Sequence, residues 1–157
     1  MKHLIIVRHA KSSRELDVED FDRPLTESGV ERATKHAAEI KKYLDFSPEV
    51  WWSSHANRAL HTAVIFAREF DTLEKLVVKE NQYTFSPGQL LDVVQSLPES
   101  KSAILFGHND ACFGLAQMLT GQRISEFKTA SAAVIELPDV AWKDINHGNL
   151  QHLLQAE

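Results

Sequence analysis

A single cysteine, Cys112, stands in a chain of 157 residues. That scarcity excludes an internal disulfide framework and any cysteine-based metal centre. Long apolar runs are missing as well. Nothing approaches the roughly 20 apolar residues of a membrane-spanning helix, and the Met1–Val7 stretch is too short for the core of a secretory leader. Positive charge is in deficit, with 17 Lys and Arg against 22 Asp and Glu and a formal net charge of −5. No broad basic field is therefore available to neutralise a nucleic-acid backbone. Metal-ligand spacings of the His-Glu-x-x-His kind do not occur. What is left, 43% apolar and 25% charged, is the composition of an ordinary soluble enzyme. These absences predict one cytoplasmic domain over residues 1–157, with neither nucleic acid nor membrane as partner and with no cofactor.

What is present is an alternation of short β-rich runs with amphipathic segments, the pattern of an α/β sandwich. His3–Arg8 is almost continuously apolar, as a strand buried on both faces must be. Lys11–Leu25 is polar, acidic and aperiodic, and reads as a loop. Thr26 suits the N-cap of a helix running to about Leu44, with Val30, Ala33, Ala37, Ile40 and Leu44 on one stripe. Gly29, in its first turn, is mildly unfavourable there. Further strands are expected at Glu49–Ser53, Lys75–Lys79, Ser102–Phe106 and Ser131–Leu137. Further helices are expected from about Asn57 to Phe70, from Ser86-Pro87 through Leu97, and from Asn109 or Asp110 to Leu119 with Gly121 as the cap. Val140–Ile145 reads as an edge strand in hairpin with the fifth strand. Cys112 reads as a core residue.

Three reactive positions share one topological place. Arg8-His9 ends the first strand, Arg58 lies in the first turn after the second, and Gly107-His108 follows the fourth. Ligands of open α/β sheets bind beyond the carboxyl ends of the strands, so the three should meet at one sheet edge. Arginine grips a phosphoryl group through parallel hydrogen bonds. Each charge pair at 4 Å is worth ~4 kcal/mol at an effective dielectric near 20, before desolvation. Neutral His9 can attack phosphorus, and neighbouring Arg8 and Arg58 oppose its protonation. His108 is expected as a cationic donor to a phosphoryl oxygen, and Gly107 as a point of close backbone approach. Ser12 and Ser13 could offer hydroxyls or simply form a turn. His55 and His61 are expected on exposed loop and helix surface, and Trp51-Trp52 as core plus surface rather than a substrate platform.

The segments "LIIVRHAKS", "DRPLTESG" (Asp22–Gly29), "SSHANRALHTA" (Ser53–Ala63) and "LFGHN" (Leu105–Asn109) together resemble the histidine phosphatase superfamily. The likeness is to its small branch, the SixA-type phosphohistidine phosphatases. It implies a phosphoglycerate mutase-like, three-layer α/β/α sandwich with a mostly parallel sheet. It also implies His9 as the transiently phosphorylated nucleophile, with Arg8, Arg58 and His108 around the phosphate. Arg23 of the "RPLT" motif would add a further phosphate or substrate contact, or else anchor its loop on Asp20 or Asp22. Larger relatives protonate the leaving oxygen with a carboxylic acid after the third strand. Here Thr84 follows Tyr83 where many small-branch relatives have Glu, and Glu80 is the one carboxylate nearby. A weak or absent acid favours a phosphorylated protein histidine over a small phosphomonoester. The alternatives are an esterase using Glu80 or an acid of the Lys11–Asp22 loop, and a non-catalytic phosphate-binding module.

Overall fold

A computed structural model describes residues 1–156. One six-stranded sheet is built from β1 (Lys2–Arg8), β2 (Val50–Ser54), β3 (Leu76–Lys79), β4 (Ser102–Gly107), β5 (Ala132–Leu137) and β6 (Asn149–Leu154), in spatial order β3-β2-β4-β1-β5-β6. The β2–β3, β2–β4 and β1–β4 pairs are parallel; β1–β5 and β5–β6 are antiparallel. The mostly parallel α/β/α architecture expected from the sequence is thus present.

Four helices cover the sheet: α1 (Glu27–Tyr43), α2 (Asn57–Glu69), α3 (Pro87–Gln95) and α4 (Ala111–Thr120). Alternation along β1 sorts the core into two layers. Ile5 and Val7 face Ala33, Ala37 and Ile40 of α1 and Ala63 and Phe66 of α2. Leu4 and Ile6 face Leu90 and Val94 of α3 and Leu115 and Leu119 of α4. Both layers are closed, which is why β1 reads as an unbroken apolar run. Cys112 is buried in the α3/α4 layer, where burial pushes its thiol up to about 12. Trp51 and Trp52 are both buried, where one core and one surface residue were expected. Among the described residues, no helix is long and apolar enough to cross a membrane.

Two expectations are corrected. Val140–Ile145 is not a strand. Trp142–Asp144 forms a 3-10 turn, in which Trp142 is buried with its indole N–H donating to Ser100, and Ile145 is buried beside it. The apolar residues there plug the core, and the edge strand is β6, whose half-exposed residues give little periodic signal. Gly29 is not a weakness of α1 but a requirement. A Cβ at that position would lie 2.2 Å from the Lys11 carbonyl oxygen. The start of α1 therefore sits directly on the chain leaving β1, and Thr26 caps the helix there by accepting the Gly29 N–H at 3.0 Å.

Candidate active site

The β1–β4 register sets Arg8 opposite Gly107, and the His9 N–H donates to the Gly107 carbonyl at 3.0 Å. Adjacent strands lie about 4.8 Å apart, so the residues following this pair must be neighbours. The His9 and His108 rings are indeed 5.4 Å apart between centroids. Gly107 contributes differently from expectation: a Cβ there would press on Cys112 Sγ at 3.3 Å, so the glycine serves the packing of α4.

His9 is 6% exposed, and both ring nitrogens are engaged. Nδ1–H donates to the Ala10 carbonyl at 2.6 Å, and Nε2 accepts from Arg58 Nε at 3.3 Å. A guanidinium can only donate, so Nε2 carries the lone pair. Burial drives the His9 pKa down to about 3; donation to Ala10 opposes this, and the charges of Arg58, Arg8 and Arg23 reinforce it. The backbone is clamped on each side. Thr62 Oγ1 accepts the Ala10 N–H at 3.0 Å, and Ala130, at φ 64, donates its N–H to the His9 carbonyl at 3.0 Å. A non-glycine residue in the left-handed region is a strained device typical of functional sites.

His108 is 1% exposed, and its Nε2 lies 2.9 Å from Ser54 Oγ. Its Nδ1 is buried without a partner, as is Arg8 Nε. Burial, then the charges of His9 and Arg58, lowers its pKa to about 3. Burial and these charges favour the neutral ring, and the negative charge of a phosphoryl group would work in the opposite direction. Ser54 Oγ accepts the Ala56 N–H at 3.1 Å and can donate its own proton to His108 Nε2. With that donation the ring proton sits on Nδ1.

Arg58 is the hub. Besides His9, it donates from Nη1 to the Asp20 carbonyl at 2.7 Å and from Nη2 to Asp20 Oδ2 at 3.0 Å. Asp20 thus offsets the cation at the start of α2, where the helix dipole disfavours one. Arg23 donates from Nε to Asp20 Oδ1 at 3.1 Å, so the alternative of a loop-anchoring ion pair is realised. Tyr83 completes the group, donating its hydroxyl to Asp20 Oδ2 at 2.5 Å. That bond, with help from Arg58 and Arg23, pulls the Asp20 carboxyl down to about 2. Arg8 donates from Nη1 to the Phe127 carbonyl at 3.0 Å, and burial lowers its pKa.

A cavity of about 420 Å³ reaches Arg8 and His9 and is lined further by Lys11, Ser12, Arg14, Glu15 and Thr129. Ser12 therefore sits at the site; Ser131 instead bonds Gln155 and is structural. On another side His55, Phe21, Tyr83 and Phe85 form a train of ring contacts reaching His108. His55 thus belongs to this rim, whereas His61 is exposed on α2. The Glu80 carbonyl accepts the Tyr83 N–H at 3.0 Å, but the Glu80 side chain is exposed and, among the described residues, has no hydrogen bond or ion pair with the site. Thr84 is turned away, bonding Gln89 and the Ser86 N–H at the start of α3. Asp20, Tyr83, Ser54 and Thr62 were not singled out from sequence as site residues. Only Asp20 left a usable signal, an acid three positions from Arg23.

No curated protein matches the chain in sequence. Many solved structures share its fold, several of them along nearly the whole length. SixA from Agrobacterium tumefaciens is 24% identical with a TM-score of 0.82, covering 98% of this chain and 97% of that one. The protein histidine phosphatase SixA complexed with tungstate is 20% identical with a TM-score of 0.78, covering 98% and 96%. A mycobacterial glucosyl-3-phosphoglycerate phosphatase is 14% identical with a TM-score of 0.73, covering 100% of each chain. At these identities the likeness is one of fold. Residues 4–81, which carry Arg8-His9, Arg23 and Arg58, match the profile of the histidine phosphatase superfamily (branch 1). The chain belongs to the histidine phosphatase superfamily.

Proposed function

We propose that this chain is a cytoplasmic phosphatase that removes the phosphoryl group of protein phosphohistidine through a covalent intermediate on His9, without a metal ion. The observation that carries this reading is a neutral imidazole with its Nε2 lone pair facing a guanidinium, beside two buried nitrogens, Arg8 Nε and His108 Nδ1, that lack partners. Orphaned buried polar atoms call for an explanation, and phosphoryl oxygens supply one for both. With both imidazoles neutral, Arg8, Arg23 and Arg58 outnumber Asp20, and Lys11 and Arg14 outnumber Glu15 along the cavity wall, a positive balance that suits a phosphoryl dianion.

A phosphoryl oxygen would take the Arg58 Nε–H that now covers His9 Nε2 and free the lone pair. The Nε2–P bond forms as the bond from phosphorus to the leaving group breaks. The Ala10 carbonyl holds Nδ1–H as the ring becomes cationic, and Arg8, Arg58 and His108 Nδ1 spread the phosphoryl charge. Water then attacks phosphorus, the electron pair returns to Nε2, and inorganic phosphate leaves. Among Asp20, Tyr83 and Glu80, none is poised to protonate an alkoxide; Glu15, the carboxylate that lines the cavity, is exposed. Asp20 is held ionised, the Tyr83 hydroxyl is raised above its ordinary value by burial and by Asp20, and Glu80 points to solvent. That supports a nitrogen leaving group. The metal-free reading is supported by the guanidiniums crowding His9 and His108, which would repel a cation. Among the described residues, no three His, Cys, Asp or Glu side chains stand together in a metal-binding group.

The test is trapping of acid-labile phosphate on His9 from a small donor panel, with turnover of a phosphohistidine peptide set against that of a sugar phosphate. Labelling of His9, survival in EDTA, inhibition by vanadate and preference for the peptide are expected. A preference for the sugar phosphate would favour a small-molecule phosphomonoesterase, a reading that the shared fold of the glucosyl-3-phosphoglycerate phosphatase keeps in view. Absence of any label would leave a phosphate-binding module, and activity lost to EDTA and restored by a divalent ion would overturn metal independence.

A further inference from the structure

We propose that the Asp20 carboxylate receives the leaving imidazole and thereby selects phosphoryl groups on nitrogen over those on an alcohol; the proposal rests on the phosphohistidine reading above. Asp20 stands in a 3-10 turn of the loop between β1 and α1. Its side chain is 49% exposed. One guanidinium joins it to the nucleophile, for Arg58 donates from Nε to His9 Nε2 and from Nη2 to Asp20 Oδ2. Three donors, from Arg23, Arg58 and Tyr83, occupy the carboxylate. A carboxylate has about four acceptor positions, so one remains.

An anion beside an anion pocket weakens phosphate binding unless the reaction gains from it. A phosphorylated imidazole does gain. With its distal nitrogen protonated, the substrate is an N-phosphoryl imidazolium whose N–H can donate to Asp20. When His9 Nε2 bonds to phosphorus, the substrate P–N bond breaks and its electron pair stays on the departing nitrogen. The product is a neutral imidazole that still carries its distal N–H, so the departing nitrogen needs no proton. The carboxylate stabilises the cationic, reactive form of the substrate, as the Ala10 carbonyl does for the His9 ring on the other side of the transfer. An alcohol gains nothing here. Its oxygen must be protonated on leaving, ionised Asp20 has no proton to give, and the two negative charges repel.

The groups facing Asp20 are Arg58 of α2, Tyr83 after β3 and Arg23 of its own loop, and His108 after β4 senses its charge. The experiment compares wild type with Asp20→Asn and Asp20→Glu over pH 5–9, on a phosphohistidine peptide and on p-nitrophenyl phosphate, whose phenolate leaves without a proton. For Asp20→Asn, kcat/KM on the peptide should fall about 10- to 100-fold, the worth of one hydrogen bond to a charged group. Its alkaline limb should move to lower pH, while the aryl phosphate loses less. Inorganic phosphate should bind Asp20→Asn more tightly than wild type, and Asp20→Glu should keep the wild-type limb. Equal losses on both substrates with an unmoved limb and weaker phosphate binding would mean that Asp20 only braces Arg58, and would overturn the proposal. An unchanged profile would overturn it too. A wild-type protein inactive on the peptide fails the underlying reading instead, a separate and recognisable result.

Discussion

The floor and the rim of the site are made of different material. His9, Arg58 and His108 are 6%, 1% and 1% exposed and hang from strand ends and the first turn of α2, locked by the Arg8–Gly107 register. Around them, Lys11, Arg14, Asp20 and Phe85 are exposed and belong to loops. Burial leaves the floor's imidazoles as neutral bases, whereas Asp20 keeps its charge through hydrogen bonds to Tyr83 and Arg58. On the proposed reading the floor makes and breaks the bonds to phosphorus but says little about what carries the phosphorus. The rim would then decide what fits and which leaving group is welcome.

The largest effect should come from the floor. Replacing His9 with Ala removes the attacking lone pair, and loss of a covalent nucleophile costs on the order of 10⁴-fold or more in kcat. Acid-labile labelling should vanish while binding of inorganic phosphate persists. Labelling that survives in the variant would place the nucleophile elsewhere. Arg58 tests the seam between the two regions, since it touches His9 and Asp20 together. Its replacement by Ala should lower kcat/KM by about 10²- to 10³-fold, the scale of a lost transition-state donor. It should also release Asp20, detectable as an upward shift of that carboxyl in an NMR titration. A loss no larger than that of Arg23→Ala would show that the seam is not catalytic.

The comparison also has a pH signature. His9 and His108 have folded-state pKa values near 3, well below the unfolded value near 6.5. Between those limits the unfolded chain binds more protons, so stability falls as pH drops from about 6.5 toward 3. Asp20, lowered to about 2, loses its contribution only below its ordinary value of 3.8. Imidazole NMR signals from His9 and His108 should therefore stay in the neutral form down to pH 5, with the melting temperature already declining from pH 6.5 to 5. Titration of either ring near pH 6.5 would show that the floor is wetter than the structure has it.

The same division explains what the sequence disclosed. Strand ends are fixed by topology, so Arg8-His9, Arg58 and Gly107-His108 could be placed together from an alternating pattern alone. The helix begun at Thr26 was equally legible, cap included. Loop geometry was not. Nothing in the aperiodic stretch 11–25 says that Asp20 folds back on Arg58, because that contact joins residues 38 positions apart and depends on a turn without apolar periodicity. The lowered basicity of His108 was not legible for a related reason: it depends on how completely the strand end is buried, which a residue type does not reveal. The strand β6 was missed because a half-exposed edge strand carries little alternation, while the apolar Trp142 and Ile145 nearby are used as a plug.

The smallest expected effect lies outside both regions and sharpens the boundary between them. Glu80 was the one carboxylate that sequence position offered as a general acid, at the end of β3. The 3-10 turn that begins there sends Gln82 inward, where its amide donates to the Trp52 and Phe106 carbonyls, and Tyr83 toward Asp20, leaving Glu80 in solvent. A general acid must reach the leaving atom directly or through one water, and is then worth ~10²–10⁴ in rate. A solvated carboxylate without a partner in the site meets neither condition. Glu80→Gln should therefore change kcat/KM by less than about twofold on either a phosphohistidine peptide or a sugar phosphate, within the range of a neutral surface substitution. A loss of a hundredfold confined to the sugar phosphate would mean that the turn refolds on substrate binding and brings Glu80 to the leaving oxygen, turning a rim of fixed loops into a moving one.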